Sequence, residues 1–203
     1  MLRSILISLL VIFMFSGCAA TTQLTGSWKE PATSVKINKV LVIGKSDKAA
    51  VRRIYEDALV NKLKDRQVNA VASSRVIPIV TEIDRPTVES AVKKGGFDSV
   101  LVTKLIDVDK ESRYVPGMTY VIPYNDYYNF YSYYGHRGPG LIHEPGYTYT
   151  ETIVSLETNL YETKDAKLIW AITTESVNPD KINKDIDKLA ELIAKKLEDD
   201  DLL

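Results

Sequence analysis

The sequence predicts an α/β (α+β) fold: a single domain with a mixed sheet of about five strands, helices packed mainly on one face, and a long Tyr/Gly/Pro-rich insertion. Three observations predict it. Short β-branched runs, Val40-Leu41-Val42-Ile43 and Val100-Leu101-Val102, alternate with segments whose apolar residues recur at helical spacing. Two alternating runs near the end are separated by a short polar turn, as in a β-hairpin. Between Arg113 and Tyr147 the composition shifts to tyrosine, glycine and proline. The resulting order is β-α-β-α-β, insertion, β-β-α, which suits a mixed sheet covered by helices.

Each element has a local reason. Val35 to Gly44 alternates and then becomes solidly apolar, which reads as a buried central strand. Ser46 and Asp47 supply N-cap chemistry for the helix that follows. Its apolar stripe is Val51, Ile54, Tyr55, Ala58, Leu59 and Leu63, with Arg52, Arg53, Asp57 and Lys64 on the opposite face. Asn69 to Ala72 is a second short strand. Asp84-Arg85-Pro86 opens a short helix with proline in its first turn, and Gly95-Gly96 closes it. Ser99 to Val108 is the next strand. Thr148 to Tyr161 and Leu168 to Thr174 form the hairpin about the Lys164-Asp165 turn. Asn178 and Pro179 open a last helix with the stripe Ile182, Ile186, Leu189, Ala190, Ile193 and Leu197. The acidic run Glu198 to Asp201 meets the negative end of that helix and reads as a solvated tail.

The amino terminus carries a different message. Met1-Leu2-Arg3-Ser4 precedes an apolar stretch from Ile5 to Phe15, a secretion signal by length and charge. It is shorter than the ~20 apolar residues of a permanent span. Phe15-Ser16-Gly17-Cys18 resembles the lipobox of bacterial lipoproteins, with Phe15 in place of the preferred leucine. The resemblance implies cleavage before Cys18, recognised through Phe15, Ser16 and Gly17. It also implies a diacylglycerol thioether on Cys18 and a fatty acyl group such as palmitate on its amino group. Two or more chains anchor stably. Cys18 is the only cysteine, so no disulfide forms within the chain. Ala19 rather than aspartate follows, which by the same resemblance points to the outer membrane, facing the periplasm. The expected organisation is a signal peptide at 1–17, a lipid-anchored tether at 18–34, a domain at 35–198 with its insertion at 112–147, and an acidic tail at 199–203. Trp28 is expected to pack on the domain edge.

Composition bounds the partners. The chain has 203 residues and a net charge of −1, one domain's length without the basic excess that nucleic acid requires. Lys93-Lys94 and Lys195-Lys196 sit at helix ends, where they complement the dipole. Gly44-Lys45-Ser46 follows a strand, but the phosphate-cradling pattern needs glycine where Lys39 stands. His136, His143 and Glu144, with Asp126 nearby, have metal-binding side chains but lie in a Gly/Pro loop rather than on one helix face. Asp107 and Asp109 share a strand face, as solvated pairs commonly do. No nucleophile–base motif is present, so no catalytic residue, metal or cofactor is expected.

Ten of the twelve tyrosines fall in residues 114–149. They cluster at Tyr124, Tyr127, Tyr128, Tyr131, Tyr133 and Tyr134. Tyrosine combines a large ring, a polar tip and few rotamers, so this segment is the candidate surface for an envelope protein partner or for self-association. The competing expectations are a structural or glycan-binding module, with rings stacked on sugars, and a loop without a partner.

Several stretches together resemble a family of bacterial outer-membrane lipoproteins. They are Ser27-Trp28-Lys29-Glu30-Pro31, Val40-Leu41-Val42-Ile43-Gly44, Arg53-Ile54-Tyr55-Glu56-Asp57-Ala58-Leu59-Val60, Asp107-Val108-Asp109-Lys110-Glu111, Arg113-Tyr114-Val115-Pro116-Gly117, and Leu156-Glu157-Thr158-Asn159-Leu160-Tyr161 with Trp170. These motifs carry no known chemistry, so the resemblance transfers no catalytic residue. The order of elements is also similar to a broader envelope class. It includes the amino-terminal domain of the Tol–Pal translocation protein, the curli secretion lipoprotein and the lipoprotein activators of penicillin-binding proteins. That likeness implies protein binding or assembly.

Overall fold

The computed structural model describes residues 22–31, 33, 35–78, 83–122, 140–179 and 182–203. Its elements run β1 (Thr22–Lys29), β2 (Lys39–Lys45), α1 (Ala49–Asp65), β3 (Asn69–Ala72), a 3-10 turn (Ser73–Arg75), α2 (Arg85–Gly95), β4 (Ser99–Val115), β5 (Met118–Ile122), β6 (Gly140–Glu144), β7 (Tyr147–Glu162), β8 (Lys167–Val177) and α3 (Ile182–Asp199). One compact unit comprises the described residues up to 109 and those from 153 on; residues 110–152 form another.

The first unit is built on the apolar runs. A mixed sheet has the strand order β1-β8-β7-β4-β2-β3. β2 is an interior strand next to the edge strand β3 and parallel to both β3 and β4, with Leu41 opposite Val71 on one side and Val100 on the other. Successive residues of a strand face opposite ways, so each run feeds two cores. Val40, Val42 and Leu101 pack with Tyr55, Leu59 and Leu63 of α1 and Leu189, Ile193 and Leu197 of α3. Leu41, Ile43 and Val100 pack with Ala91 of α2 and with Phe97. Helices therefore cover both faces, with two of the three on one face and one on the other. The crossovers from β2 to β3 and from β3 to β4 turn in opposite directions, and right-handed connections then place α1 and α2 on opposite sides.

Several expectations are corrected. The sheet has six strands, because residues 22–29 of the expected tether form β1, antiparallel to β8. Its Thr, Ser, Gln and Gly residues give no apolar run, yet they suit an edge strand with a register shift between Leu24 and Gly26. Trp28 lies on that edge, half-exposed. The N-cap of α1 is Lys48, which has no side-chain cap bond; Ser46 Oγ accepts from the Lys48 N–H instead. α1 buries residues 52, 55, 56, 59, 60 and 63, so Arg52 lies inside and Ile54 outside. Asn178 adopts φ 46° and α3 begins at Ile182, so Asn178 and Pro179 are not its cap and first residue. The acidic end is docked as well as charged. The Trp170 indole N–H donates to Asp200 Oδ2 at 2.7 Å, the Ile37 N–H donates to the Leu202 carbonyl at 2.9 Å, and Leu202 is buried. By contrast, α2 matches its signals: Asp84 Oδ1 accepts from the Thr87 N–H at 2.9 Å, and Gly96 closes the helix at φ 60°.

The second unit begins where β4 outruns the expected end at Val108. β5 and β6 form a two-stranded antiparallel ribbon with Met118 opposite Glu144 and Val121 opposite Leu141. Two Pro-Gly pairs, Pro116-Gly117 and Pro145-Gly146, bound it on the side of β4 and β7. They pack so closely that a Cβ on Gly117 would lie 2.5 Å from the Glu144 carbonyl oxygen and 2.7 Å from the Gly146 nitrogen. Only glycine fits there.

Candidate functional site

Two places in the described residues could meet a ligand or partner. The first lies in the sheet-bearing unit, outside the carboxyl end of β2 and beside the part of β4 where its pairing with β2 ends, at Lys45 opposite Lys104. Open α/β sheets place ligand crevices at such points. A groove of about 680 Å³ opens there, bordered by Lys45, Ser46 and Lys48 after β2, by Lys104 and Leu105 on β4, and by Ile186 on α3.

Beneath it, polar side chains are bonded to one another. Glu56 is fully buried and Arg52 nearly so. Glu56 Oε1 accepts from the Gly44 N–H at 3.0 Å, from Arg52 Nε at 3.0 Å and from Ser73 Oγ at 2.5 Å; its Oε2 accepts from the Ser74 N–H at 2.8 Å. Arg52 also donates to Ser73 Oγ at 2.7 Å. The carboxylate thus ties α1 to the end of β2 and to the turn after β3. Beside it the Tyr55 hydroxyl bonds Thr103 Oγ, which bonds Thr158 Oγ at 2.8 Å. Burial drives the Tyr55 phenol far above its ordinary value, so it serves as a neutral hydrogen-bonding group. At the rim, Lys104 pairs with Glu157 at 2.7 Å. That hydrogen bond raises the lysine and lowers the carboxylate. Lys45 and Lys48, both exposed, contribute charge at and just after the end of β2.

The second place is the ribbon. Cross-strand partners share a face. One face carries Met118 and Glu144, then Tyr120 and Ile142; the other carries Thr119 and His143, then Val121 and Leu141. Every one of these side chains is exposed, Leu141 to 69%. Thr119 Oγ bonds His143 Nδ1 at 3.0 Å, and the Tyr120 hydroxyl approaches Met118 Sδ at 3.6 Å. In the same unit Tyr114 and Tyr147 are exposed to 67% and 61%, the rings of Tyr147 and Tyr149 lie 6.3 Å apart, and Arg113 pairs with Glu151 at 2.6 Å.

The sequence-predicted residues fall unevenly. Phe15, Ser16, Gly17 and Cys18 lie outside the described residues, as do Tyr124, Tyr127, Tyr128, Tyr131, Tyr133 and Tyr134, together with Asp126 and His136. His143 and Glu144 are adjacent on β6 and so face opposite ways. Among the described residues no group of three or more His, Cys, Asp or Glu side chains could hold a metal ion, and no helix is long and apolar enough to cross a membrane. Asp107 and Asp109 are exposed on β4. Sequence reading missed the Arg52–Glu56 cluster, whose signal was only the helical spacing of two charges. It also missed the ribbon, which the two Pro-Gly pairs and the alternation at Met118–Val121 could have disclosed.

No protein-family model and no curated protein matches the sequence. Among solved structures, the chain is similar to PelC from Paraburkholderia phytofirmans, described as a dodecamer, at 10% identity over 86% of this chain and 94% of that one, with a TM-score of 0.44. It is also similar to the lipoprotein GNA1162 from Neisseria meningitidis, at 12% identity over 80% and 99% of the two chains, with a TM-score of 0.43. A PDZ domain protein from Parabacteroides distasonis matches at 10% identity over 86% of this chain and 36% of that one, with a TM-score of 0.38. All three are distant likenesses.

Proposed function

We propose that this is an exported envelope lipoprotein that acts by binding rather than by catalysis. It is cut before Cys18, lipidated there, and held at the outer membrane facing the periplasm. The insertion is its surface for a protein partner or for assembly. The export and anchoring parts rest on Arg3, the apolar run Ile5 to Phe15, and Phe15-Ser16-Gly17-Cys18. The binding part is carried by one observation: the ribbon exposes large apolar side chains on both of its faces. Soluble monomers seldom leave such patches bare. The groove's buried acid, Glu56, is tied into the fold by four hydrogen bonds, which supports a binding role over an acid–base one.

The test is a photo-crosslinking residue at Tyr147 in intact cells, with Lys64 on the exposed side of α1 as control. The expected result is a discrete adduct from Tyr147 alone. A well-exported protein that gives none would overturn the binding reading. An intact mass without residues 1–17 and with added acyl mass is expected; an unmodified Cys18 would overturn the anchor. The neighbouring exposed rings of Tyr147 and Tyr149 favour a second reading, in which they stack on sugars. Sedimentation with purified cell wall that ceases on Tyr147→Ala would support it.

A further inference from the structure

Resting on the reading of the insertion as a binding surface, we infer that the occupant of the ribbon is a second copy of this chain, stacked with one ribbon face against the opposite face of the next. Three observations carry this.

The first is the amount of apolar surface. Tyr114, Met118, Tyr120, Val121, Leu141, Ile142, Tyr147 and Tyr149 are all exposed. Four of the eight are tyrosines, each with about 150–250 Å² to bury in a full contact. Exposed apolar side chains gathered in one segment mark an interaction surface, whereas single scattered ones do not. A two-stranded ribbon is at best marginally stable in water and needs further strands or a packed face.

The second is that the surface is two-sided. Tyr120 and Ile142 lie on one face, Val121 and Leu141 on the other. A single unrelated partner on one face leaves the other bare. A neighbouring copy on each side covers both, which is the heterologous arrangement that closes into a ring when its rotation permits.

The third is complementarity between the faces. The first face pairs its apolar residues with Glu144; the second pairs its own with His143 and Thr119. First face on second, with the ribbons running in the same direction, brings the Glu144 carboxylate toward the His143 imidazole, one residue away along β6. Thr119 already holds Nδ1 of that ring, leaving Nε2 to meet the carboxylate. At the next level Tyr120 and Ile142 meet Val121 and Leu141. A first face against another first face instead offers Glu144 no imidazole, because His143 lies on the second face.

The test uses cysteines in the full exported chain, oxidised in intact cells. Tyr120→Cys marks the first face and Leu141→Cys the second; these positions point away from each other, so no bond closes within one ribbon. The parent protein and Lys64→Cys are the controls. The double variant is expected to give a reducible ladder of dimer, trimer and larger species, all composed of this chain, and each single variant is expected to remain one chain. Dimers from a single variant, with nothing larger from the double, would overturn the opposite-face stack. Adducts to a different protein would overturn self-association while leaving the binding-surface reading standing. No adduct from any ribbon cysteine in a well-exported chain would overturn both. Substituting Tyr120→Asp and Leu141→Asp together should lower the solution mass to one chain with an unchanged circular dichroism spectrum. A mass that stays multimeric would also count against the ribbon as the interface.

Discussion

Arg52 and Glu56 are charged and lie inside; Tyr114, Val121, Leu141 and Tyr147 are apolar or aromatic and lie outside. The two regions invert the ordinary partition in opposite senses, and they differ in how the inversion is settled. Each Glu56 oxygen has its hydrogen bonds within the chain, from Arg52, Ser73, Gly44 and Ser74. The ribbon's apolar side chains have no comparable cover among the described residues of their own unit. The buried cluster is therefore complete within its own unit, whereas the described apolar side chains of the ribbon remain exposed. Substitutions should read this contrast directly: stability should respond at the cluster and association at the ribbon.

The largest stability effect belongs to Glu56. In Glu56→Leu the Arg52 guanidinium stays buried without its partner, and the expected loss is about 3–5 kcal/mol, read from the urea unfolding midpoint. That is a large share of the 5–15 kcal/mol of a typical domain. Adding Arg52→Met removes the orphaned charge and should recover part of the loss. About 1–3 kcal/mol should remain, because the Gly44 and Ser74 N–H groups still lack an acceptor. A double variant no better than the single would mean the backbone bonds, not the ion pair, dominate the cluster.

The turn that bounds the ribbon comes next. Gly117→Ala drives a methyl group into the Glu144 carbonyl and the Gly146 nitrogen, backbone atoms that cannot swing aside. Overpacking of this kind costs about 1–3 kcal/mol. The cost should fall on the ribbon alone, as faster amide exchange at Tyr120 and Val121 with the global unfolding midpoint unchanged. Global destabilisation instead would show that the two regions fold as one cooperative unit.

A smaller effect separates the docked carboxyl end from a solvated one. Partial burial would raise the Asp200 carboxyl. Lys196 at 2.7 Å and the Trp170 N–H outweigh that and hold it below the ordinary carboxylate range. A carboxyl lowered in the folded state stabilises it above the unfolded pKa, near 3.9, and loses that contribution as pH falls through the folded value. Asp200→Asn should therefore cost about 1 kcal/mol at neutral pH, with a difference in Tm that closes toward pH 3. A difference independent of pH would mean that shape rather than charge fixes the end.

Apolar periodicity made most of the first unit legible. Val40 to Ile43, Val100 to Val102, the late hairpin and the stripe of α3 lie where their spacing places them, and Asp84 and Gly96 bound α2 as their chemistry requires. What periodicity could not disclose were structures settled by polar partners. Arg52 reads as solvent-facing unless Glu56, Ser73 and Gly44 are known to converge on it. The Glu198–Asp201 run reads as a tail unless Trp170 is known to need an acceptor. β1 lacks an apolar run because an edge strand needs none. In the insertion, the abundance of tyrosine drew attention to residues 124–134, whereas the described exposed surface joins Tyr114, Tyr120, Tyr147 and Tyr149 to Met118, Val121, Leu141 and Ile142, ordinary residues beside a pair of Pro-Gly turns.

The smallest stability effect is the most informative about the ribbon. Tyr120→Ser and Leu141→Ser remove large side chains, which in a core would cost several kcal/mol. Both are exposed here, so each should shift the global unfolding free energy by less than about 0.5 kcal/mol, as surface substitutions do. Both should nonetheless weaken association, and their effects should be coupled if the two faces meet across an interface. Sedimentation at several protein concentrations measures the association, and a double-mutant cycle measures the coupling. Coupling between residues on opposite faces of one ribbon, seen in association but not in unfolding, would place the missing contact between chains. A large loss in unfolding alone would instead mean that these side chains are buried by their own chain, and the contrast with the Arg52–Glu56 cluster would collapse.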